Sequence, residues 1–317
     1  MSKYHVVSFY QIEKILDHER LSRDVTRYAS KHSLLGTFFS TPQGINTTMS
    51  GEKEALEGLI EMLESKFNLS LFNPKWSISK DKPFKRLRVR LKPRLLPLEG
   101  EFDPVLQRGK HLEADEWNKV ISDPNTLVID VRNDYETDIG TFKNSIVPNM
   151  KDFTEFPEFI DKEIVKDKKK KIAMFCTGGI RCEIASSFMI NKGFDEVYQL
   201  KGGVLNYLEN TEDDNNLWEG ECFVFDERVS LDKSLNQGKY VQCFGCRRPL
   251  SKDDLRSEHY QKGISCSYCY DVSSDSDKER FAQRQKQIEL AELRGHEPVS
   301  YTHLRAHETV LDLVCRL

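Results

Sequence analysis

No stretch of the sequence is long and apolar enough to span a bilayer, and charged residues make up 31% of it, so neither a membrane helix nor wholesale disorder is expected. The amino terminus, MSKYHVVSFYQ, lacks the charged start, apolar centre and small-residue cleavage site of a signal peptide, which points to the cytoplasm. A flavin or dinucleotide Gly-rich fingerprint and a His-rich iron site are also missing, so no organic cofactor is evident. With a net charge of only −4 there is no overall positive field, and any nucleic-acid contact must be regional. What is present is a chain of 317 residues, enough for two or three domains, and eight cysteines. In a reducing compartment these thiols read as catalytic or metal-binding, not as a disulfide framework.

Strand and helix patterns alternate through residues 1–95: HVVSFYQ, a helix near Arg23 to Lys31, LLGTFFST, GINTTMSG, EKEALEGLIEMLESK and FKRLRVRLK. The order β-α-β-β-α-β predicts a ferredoxin-like (acylphosphatase-like) α+β domain with helices on one face of an antiparallel sheet. Pro93, Pro97, Gly100 and Pro104 read as a linker. Residues 111–212 change to βα alternation, with TLVIDVR, KIAMFC and EVYQLKGG as buried strands of a parallel sheet. A Cys-rich segment, 213–295, closes with the polar helix SDKERFAQRQKQIELAELRG on the surface. The tail 296–317, with His303 and Cys315, resembles appended non-native sequence, the alternative being a genuine C-terminal helix, and is set aside from function.

The strongest chemical signal is KIAMFCTGGIRCEIASSFMINKGF, an apolar strand running into Cys176, a Gly-rich turn and a helix. Gly178 and Gly179 let successive backbone N–H groups turn inward, and the helix beginning near Arg181 directs its positive end at the same place. Such a nest lowers a thiol pKa and makes Cys176 a candidate nucleophile at the mouth of the loop, with Arg181 adding fixed charge. The alternative is an inert, buried strand-end cysteine. Two roles are open to Cys182, resolving a disulfide or persulfide on Cys176 or packing beneath the loop.

Cys243-x2-Cys246 and Cys266-x2-Cys269 have the spacing of a zinc ribbon, and four soft ligands favour structural zinc over redox-active thiols. Cys222 stands outside that pattern and reads as a hydrophobe. In FKRLRVRLK, Leu87, Val89 and Leu91 alternate with Arg86, Arg88, Arg90 and Lys92, so a strand directs the cations to one face. That face is either an RNA-backbone stripe, extended by Lys80, Lys82 and Lys85 with Trp76, Phe84 or Tyr28 as stacking surfaces, or the solvated side of a sheet. The basic run Lys166 to Lys171 reads as a solvated loop.

The Cys176 loop resembles that of the rhodanese superfamily, and DVRNDYE upstream carries the superfamily's Asp-x-Arg plus Glu pattern. The resemblance implies that Asp130 and Arg132 brace the loop, with Glu136 as an outer partner. The chain departs from ordinary rhodaneses at Gly140-Thr141-Phe142, where Gly-His-Ile is usual. The whole layout is similar to the rhodanese-like tRNA uridine hydroxylases, through STPQGINTTMSG, FKRLRVRLKP, DVRNDYE, CTGGIRCE and FVFDERV followed by the CxxC pairs. That resemblance implies oxygen-dependent hydroxylation of wobble uridine at carbon 5, with tRNA as partner, molecular oxygen as co-substrate and Cys176 as the active-site cysteine. A thiosulfate or persulfide sulfurtransferase is the competing expectation, and an RNA or protein adaptor a third.

Overall fold

Period-two burial in strands and i, i+4 stripes on helices account for the first domain of the computed structural model, which describes residues 4–69, 74–98, 100, 102–165 and 170–294. The tail 296–317 and Lys166 to Lys169 of the basic run lie outside the described residues. The domain runs β1 (Tyr4–Ile12), α1 (His18–Lys31), β2 (Leu35–Thr41), β3 (Gly44–Gly51), α2 (Lys53–Phe67), β4 (Lys75–Ser79) and β5 (Leu87–Leu91). Leu21, Val25 and Ala29 of α1 and Leu56, Leu59 and Leu63 of α2 form apolar stripes that pack on Val7, Phe9, Phe38, Ile45 and Met49 of the sheet. Asp17 starts α1 by accepting the Arg20 N–H at 2.9 Å.

The sheet order is β4-β1-β3-β2-β5, with β5 parallel to β2 and the other pairs antiparallel. The βαββαβ expectation therefore holds with one change of position. Its last strand is KWSIS, and FKRLRVRLK adds a fifth strand at the opposite edge. KWSIS was missed because its two apolar residues alternate over too short a span to stand out. Helix α1 also begins earlier than expected, at His18.

The second domain contains β6 (Lys110–Leu112), α3 (Ala114–Ile121), β7 (Thr126–Asp130), α4 (Asp134–Thr137), β8 (Gly140–Phe142), α5 (Phe156–Phe159), β9 (Lys171–Phe175), α6 (Ile180–Asn191), β10 (Val197–Leu200) and α7 (Gly203–Glu209). Its four-stranded sheet, β6-β10-β9-β7, is parallel throughout. Central strand β9 is buried on both faces, which is why KIAMF reads as a continuous apolar run. The Pro-rich connection between the domains is not a free tether. Leu95, Leu96 and Leu98 are buried in one core with Ile12 of the first domain and Ile129, Met174 and Ile184 of the second.

The Cys-rich segment is built from strands of two or three residues and tight turns, and it is stitched to the second domain by Trp218–Gly220 pairing antiparallel with β8. Its closing helix, Asp275–Leu293, is polar, and Arg284 ties it to the cysteine turns by donating to the Phe244 and Gly263 carbonyls at 2.7 Å each. Among the described residues no helix is long and apolar enough to cross a membrane.

Candidate active site

Strand β9 delivers Cys176, and the chain turns through Thr177 and Gly178 to Gly179, whose φ of +102° only glycine adopts without strain. That turn aims the Gly179 N–H at the Cys176 sulfur, 3.1 Å away. The first turn of α7 holds the loop from behind, with Val204 and Leu205 donating to the Cys176 and Thr177 carbonyls at 2.9 and 3.1 Å. Burial alone raises the Cys176 pKa, but the Cys182 thiol, the Arg181 charge and the Cys182 and Gly179 amides together bring it down to about 6. Cys176 stands at the mouth of the strand-to-helix loop, where its side chain is buried and lines a cavity. Cys182 is buried beneath it, and burial followed by the hydrogen bond to Cys176 raises its own pKa well above the ordinary thiol value.

The ionic bracing is fully buried. Arg132 donates twice to Asp130, at 2.9 and 2.6 Å, and once to the Gly140 carbonyl at 2.6 Å, with Trp218 stacked 4.9 Å from its guanidinium. Thr141 donates to Asp130 at 2.8 Å, so the residue that departs from the Gly-His-Ile pattern satisfies this carboxylate. Glu136 is more than an outer partner. It takes Arg181 in a bidentate pair at 2.5 and 2.7 Å and accepts the Thr177 hydroxyl at 3.0 Å. Burial pushes the Glu136 pKa up, yet Arg181 holds it below the usual carboxylate value. Arg181 is therefore half of a compensated pair, not the lone cation the sequence suggested.

The cavity, about 200 Å³, lies where the three parts of the chain meet. Its walls are the Cys176 loop, the helix-free face of the first sheet (Ser8, Thr37, Phe39, Asn46, Lys75) and the FVFDERV segment (Phe225, Asp226, Arg228). Two first-domain side chains press on glycines of the loop region. Tyr10 lies against Gly179 and donates to Glu183 at 2.8 Å, and Lys75 lies against Gly202 and donates to the Gly178 carbonyl at 3.3 Å. Burial lowers the Lys75 pKa to about 8. Asp226 and Arg228 repeat the Asp130–Arg132 geometry, with contacts of 2.9 and 2.6 Å, and Arg228 reaches Ser77 at 2.8 Å. Sequence reasoning missed Tyr10, Lys75 and this second pair. Only the second Asp-x-Arg, visible in FVFDERV, offered a signal.

Comparison with known proteins bears on this arrangement. The chain is 42% identical, over 93% of its own length and 92% of the relative's, to the tRNA uridine(34) hydroxylase of Teredinibacter turnerae. The chain belongs to the tRNA uridine(34) hydroxylase family. Residues 4–95 match the UPF0176 acylphosphatase-like domain and residues 113–210 the rhodanese-like domain. Among solved structures, a rhodanese-related protein from Thermoplasma volcanium is 27% identical over 32% of this chain and 91% of its own, at a TM-score of 0.27. An acylphosphatase from Coxiella burnetii is 19% identical over 28% of this chain and 92% of its own, at 0.21.

In this member of the tRNA uridine(34) hydroxylase family, the parallel register pairs Thr37 with Arg88 and Phe39 with Arg90, placing both arginines on the sheet face that walls the cavity. Lys92 joins them, its ammonium 4.5 Å from the Phe39 ring centre, and Arg86 precedes the strand, its carbonyl accepting from Gly36 at 3.0 Å. Trp76 and Phe84 line the cavity. Tyr28 does not. It stacks on His32 on the helix side of the sheet and donates to the Ala55 carbonyl, so its proposed stacking role is withdrawn. Cys243, Cys246, Cys266 and Cys269 gather away from the cavity lining, their sulfurs all within 4.8 Å of one another, and this cluster can hold a metal ion.

Proposed function

We propose that the chain hydroxylates uridine at position 34 of tRNA at carbon 5, with Cys176 as the nucleophile. The observation that carries the reading is a cysteine whose sulfur takes the Gly179 amide and lines a cavity between the domains, its pKa lowered to about 6, in a chain 42% identical to a tRNA uridine(34) hydroxylase. A volume of about 200 Å³ is below the roughly 300–1,000 Å³ of drug-sized pockets, so the cavity suits one base turned out of its stack and not a whole nucleotide. The thiolate adds to carbon 6 of the uracil, and the π electrons move through carbon 5 to the carbon 4 oxygen as an enolate. Electron-rich carbon 5 then takes one atom of molecular oxygen, while a two-electron reductant with two protons carries the other atom away as water. Loss of the carbon 5 proton and departure of the thiolate restore the double bond in 5-hydroxyuridine. Gly178, the amide of Gly179 and the Arg181–Glu136 and Arg132–Asp130 pairs keep the loop in the shape this requires. Cys182 supports the thiolate from beneath.

Arg86, Arg88, Arg90 and Lys92 supply a cationic edge for the anticodon backbone on the cavity side of the sheet. A tRNA substrate sets the protein's work in the cytoplasm. The four clustered cysteines hold structural zinc. Tetrahedral Zn–S bonds of about 2.3 Å require sulfurs about 3.8 Å apart, and three of the pairs stand at 3.7, 3.8 and 4.0 Å.

Nucleoside mass spectrometry of tRNA from cells with and without the gene tests the activity. Loss of 5-hydroxyuridine on deletion and its return on complementation are expected. Unchanged 5-hydroxyuridine, with rapid sulfur transfer from thiosulfate by the purified chain, would replace this reading with a sulfurtransferase.

A further inference from the structure

The charges around Cys176 do not add up within its own domain. Arg181 is bound bidentately by Glu136, and Arg132 by Asp130, so each buried cation arrives with its own anion. On the far wall Arg228 is likewise cancelled by Asp226. A compensated pair acts on a third charge only as a dipole, and its field falls off faster than that of a single charge. Lys75 is different. Its ammonium donates to a neutral acceptor, the Gly178 carbonyl two residues from Cys176, at 3.3 Å. Among the described residues no carboxylate lies within ion-pair distance of it, although Glu209 of α7 shares its cavity wall.

Lys75 is fixed there by two elements of different domains. Strand β4 pairs with β1 and aims Lys75 from the helix-free face of the first sheet. Gly202, at φ +68°, leaves room for it, since a Cβ at that position would stand 2.9 Å from the ammonium. At neutral pH the ammonium remains mostly protonated, although burial lowers its pKa to about 8.

We infer that Lys75, contributed by the acylphosphatase-like domain, is an uncompensated cation that adds to the Gly179 and Cys182 amides and Arg181 in keeping Cys176 ionised, so that the rhodanese-like domain's nucleophile is completed by its neighbour in the chain. Lys75 acts through Cys176 and is a positioning residue in this sense. The inference deepens the hydroxylase reading and rests on it for its biological meaning, but the electrostatic coupling can be measured without tRNA.

The test is the pH dependence of iodoacetamide alkylation at Cys176 in the full chain, read on the Cys176 peptide by mass spectrometry so that the other cysteines do not interfere. In Lys75→Met the midpoint moves up by about one pH unit, with about tenfold less thiolate at any pH below it. Lys75→Arg keeps the midpoint at or below the wild-type position. An unchanged midpoint in Lys75→Met overturns the inference, as does an equal rise in Lys75→Arg. Should circular dichroism show Lys75→Met unfolded, Lys75→Gln, which keeps an N–H donor for the Gly178 carbonyl and removes the charge, supplies the reading: a midpoint raised by a similar amount is expected, and an unchanged one overturns the coupling. Hydroxylation of tRNA assayed in parallel separates the two claims. A shifted midpoint in Lys75→Met, with a wild-type chain that leaves tRNA unmodified, sinks the hydroxylase reading and leaves the role of Lys75 standing.

Discussion

Replacing Glu136 by Gln changes one atom type and removes one charge at the most constrained position of the site. Four donors converge on this carboxylate: the Arg181 guanidinium twice, at 2.5 and 2.7 Å, the Thr177 hydroxyl at 3.0 Å and the Asn133 amide at 3.2 Å. A carboxamide accepts at its oxygen only, so in either orientation two of these donors face an N–H group. Arg181, almost fully buried, then loses its counter-charge. Breaking a buried pair in this way costs about 3–5 kcal/mol. The cost is measurable by urea denaturation followed through Trp117 and Trp218, both buried in the second domain's core. Removing both charges in Glu136→Gln/Arg181→Met recovers most of it, because replacing a buried pair is cheaper than orphaning one member. The native carboxylate is held below its usual pKa, so the wild type has this stability above the ordinary carboxylate range and loses it as the pH falls. The variant lacks that acid-linked loss. A destabilisation under about 1 kcal/mol, or a double variant as unstable as the single, would refute the account of Glu136 as the site's central anchor.

Three further outcomes are expected. The pH–rate profile of hydroxylation rises as the Cys176 thiol ionises near 6 and then levels off; a profile still rising at pH 9 contradicts it. Cys182→Ala raises the alkylation midpoint of Cys176 by removing a hydrogen-bond donor, yet tRNA is still hydroxylated; complete loss of product in a folded variant would instead mark Cys182 as a resolving thiol. Metal analysis of the purified chain gives one zinc per chain, and Cys243→Ser/Cys266→Ser loses it and renders the Cys-rich segment protease-sensitive; equal zinc in both rejects the site.

The features legible in the sequence are those written in local pattern. The strand-to-helix passage at Cys176, the Gly178–Gly179 turn, the three longer parallel strands and the CxxC spacing each depend on residues a few positions apart. The βαββαβ order was legible too, although the three-residue strand Lys110–Leu112 and the KWSIS strand carry too little apolar signal to be read. Contacts between domains were not legible. Nothing near Lys75 in the chain indicates that its ammonium ends beside Gly178, or that the Tyr10 hydroxyl reaches Glu183, because both contacts depend on how the first sheet docks on the loop. The Pro-rich connection misled for a related reason. Its prolines signal irregular backbone correctly, while the buried Leu95, Leu96 and Leu98 fasten it to the core.

The most direct measurement is the abundance of 5-hydroxyuridine at position 34 in a strain lacking the gene and supplied with the Cys176→Ser chain. Serine keeps the shape of the loop and removes the thiolate, so the nucleoside is expected to stay at the deletion level while the wild-type chain restores it. Restoration by Cys176→Ser to the wild-type amount would show that the sulfur takes no part in the reaction.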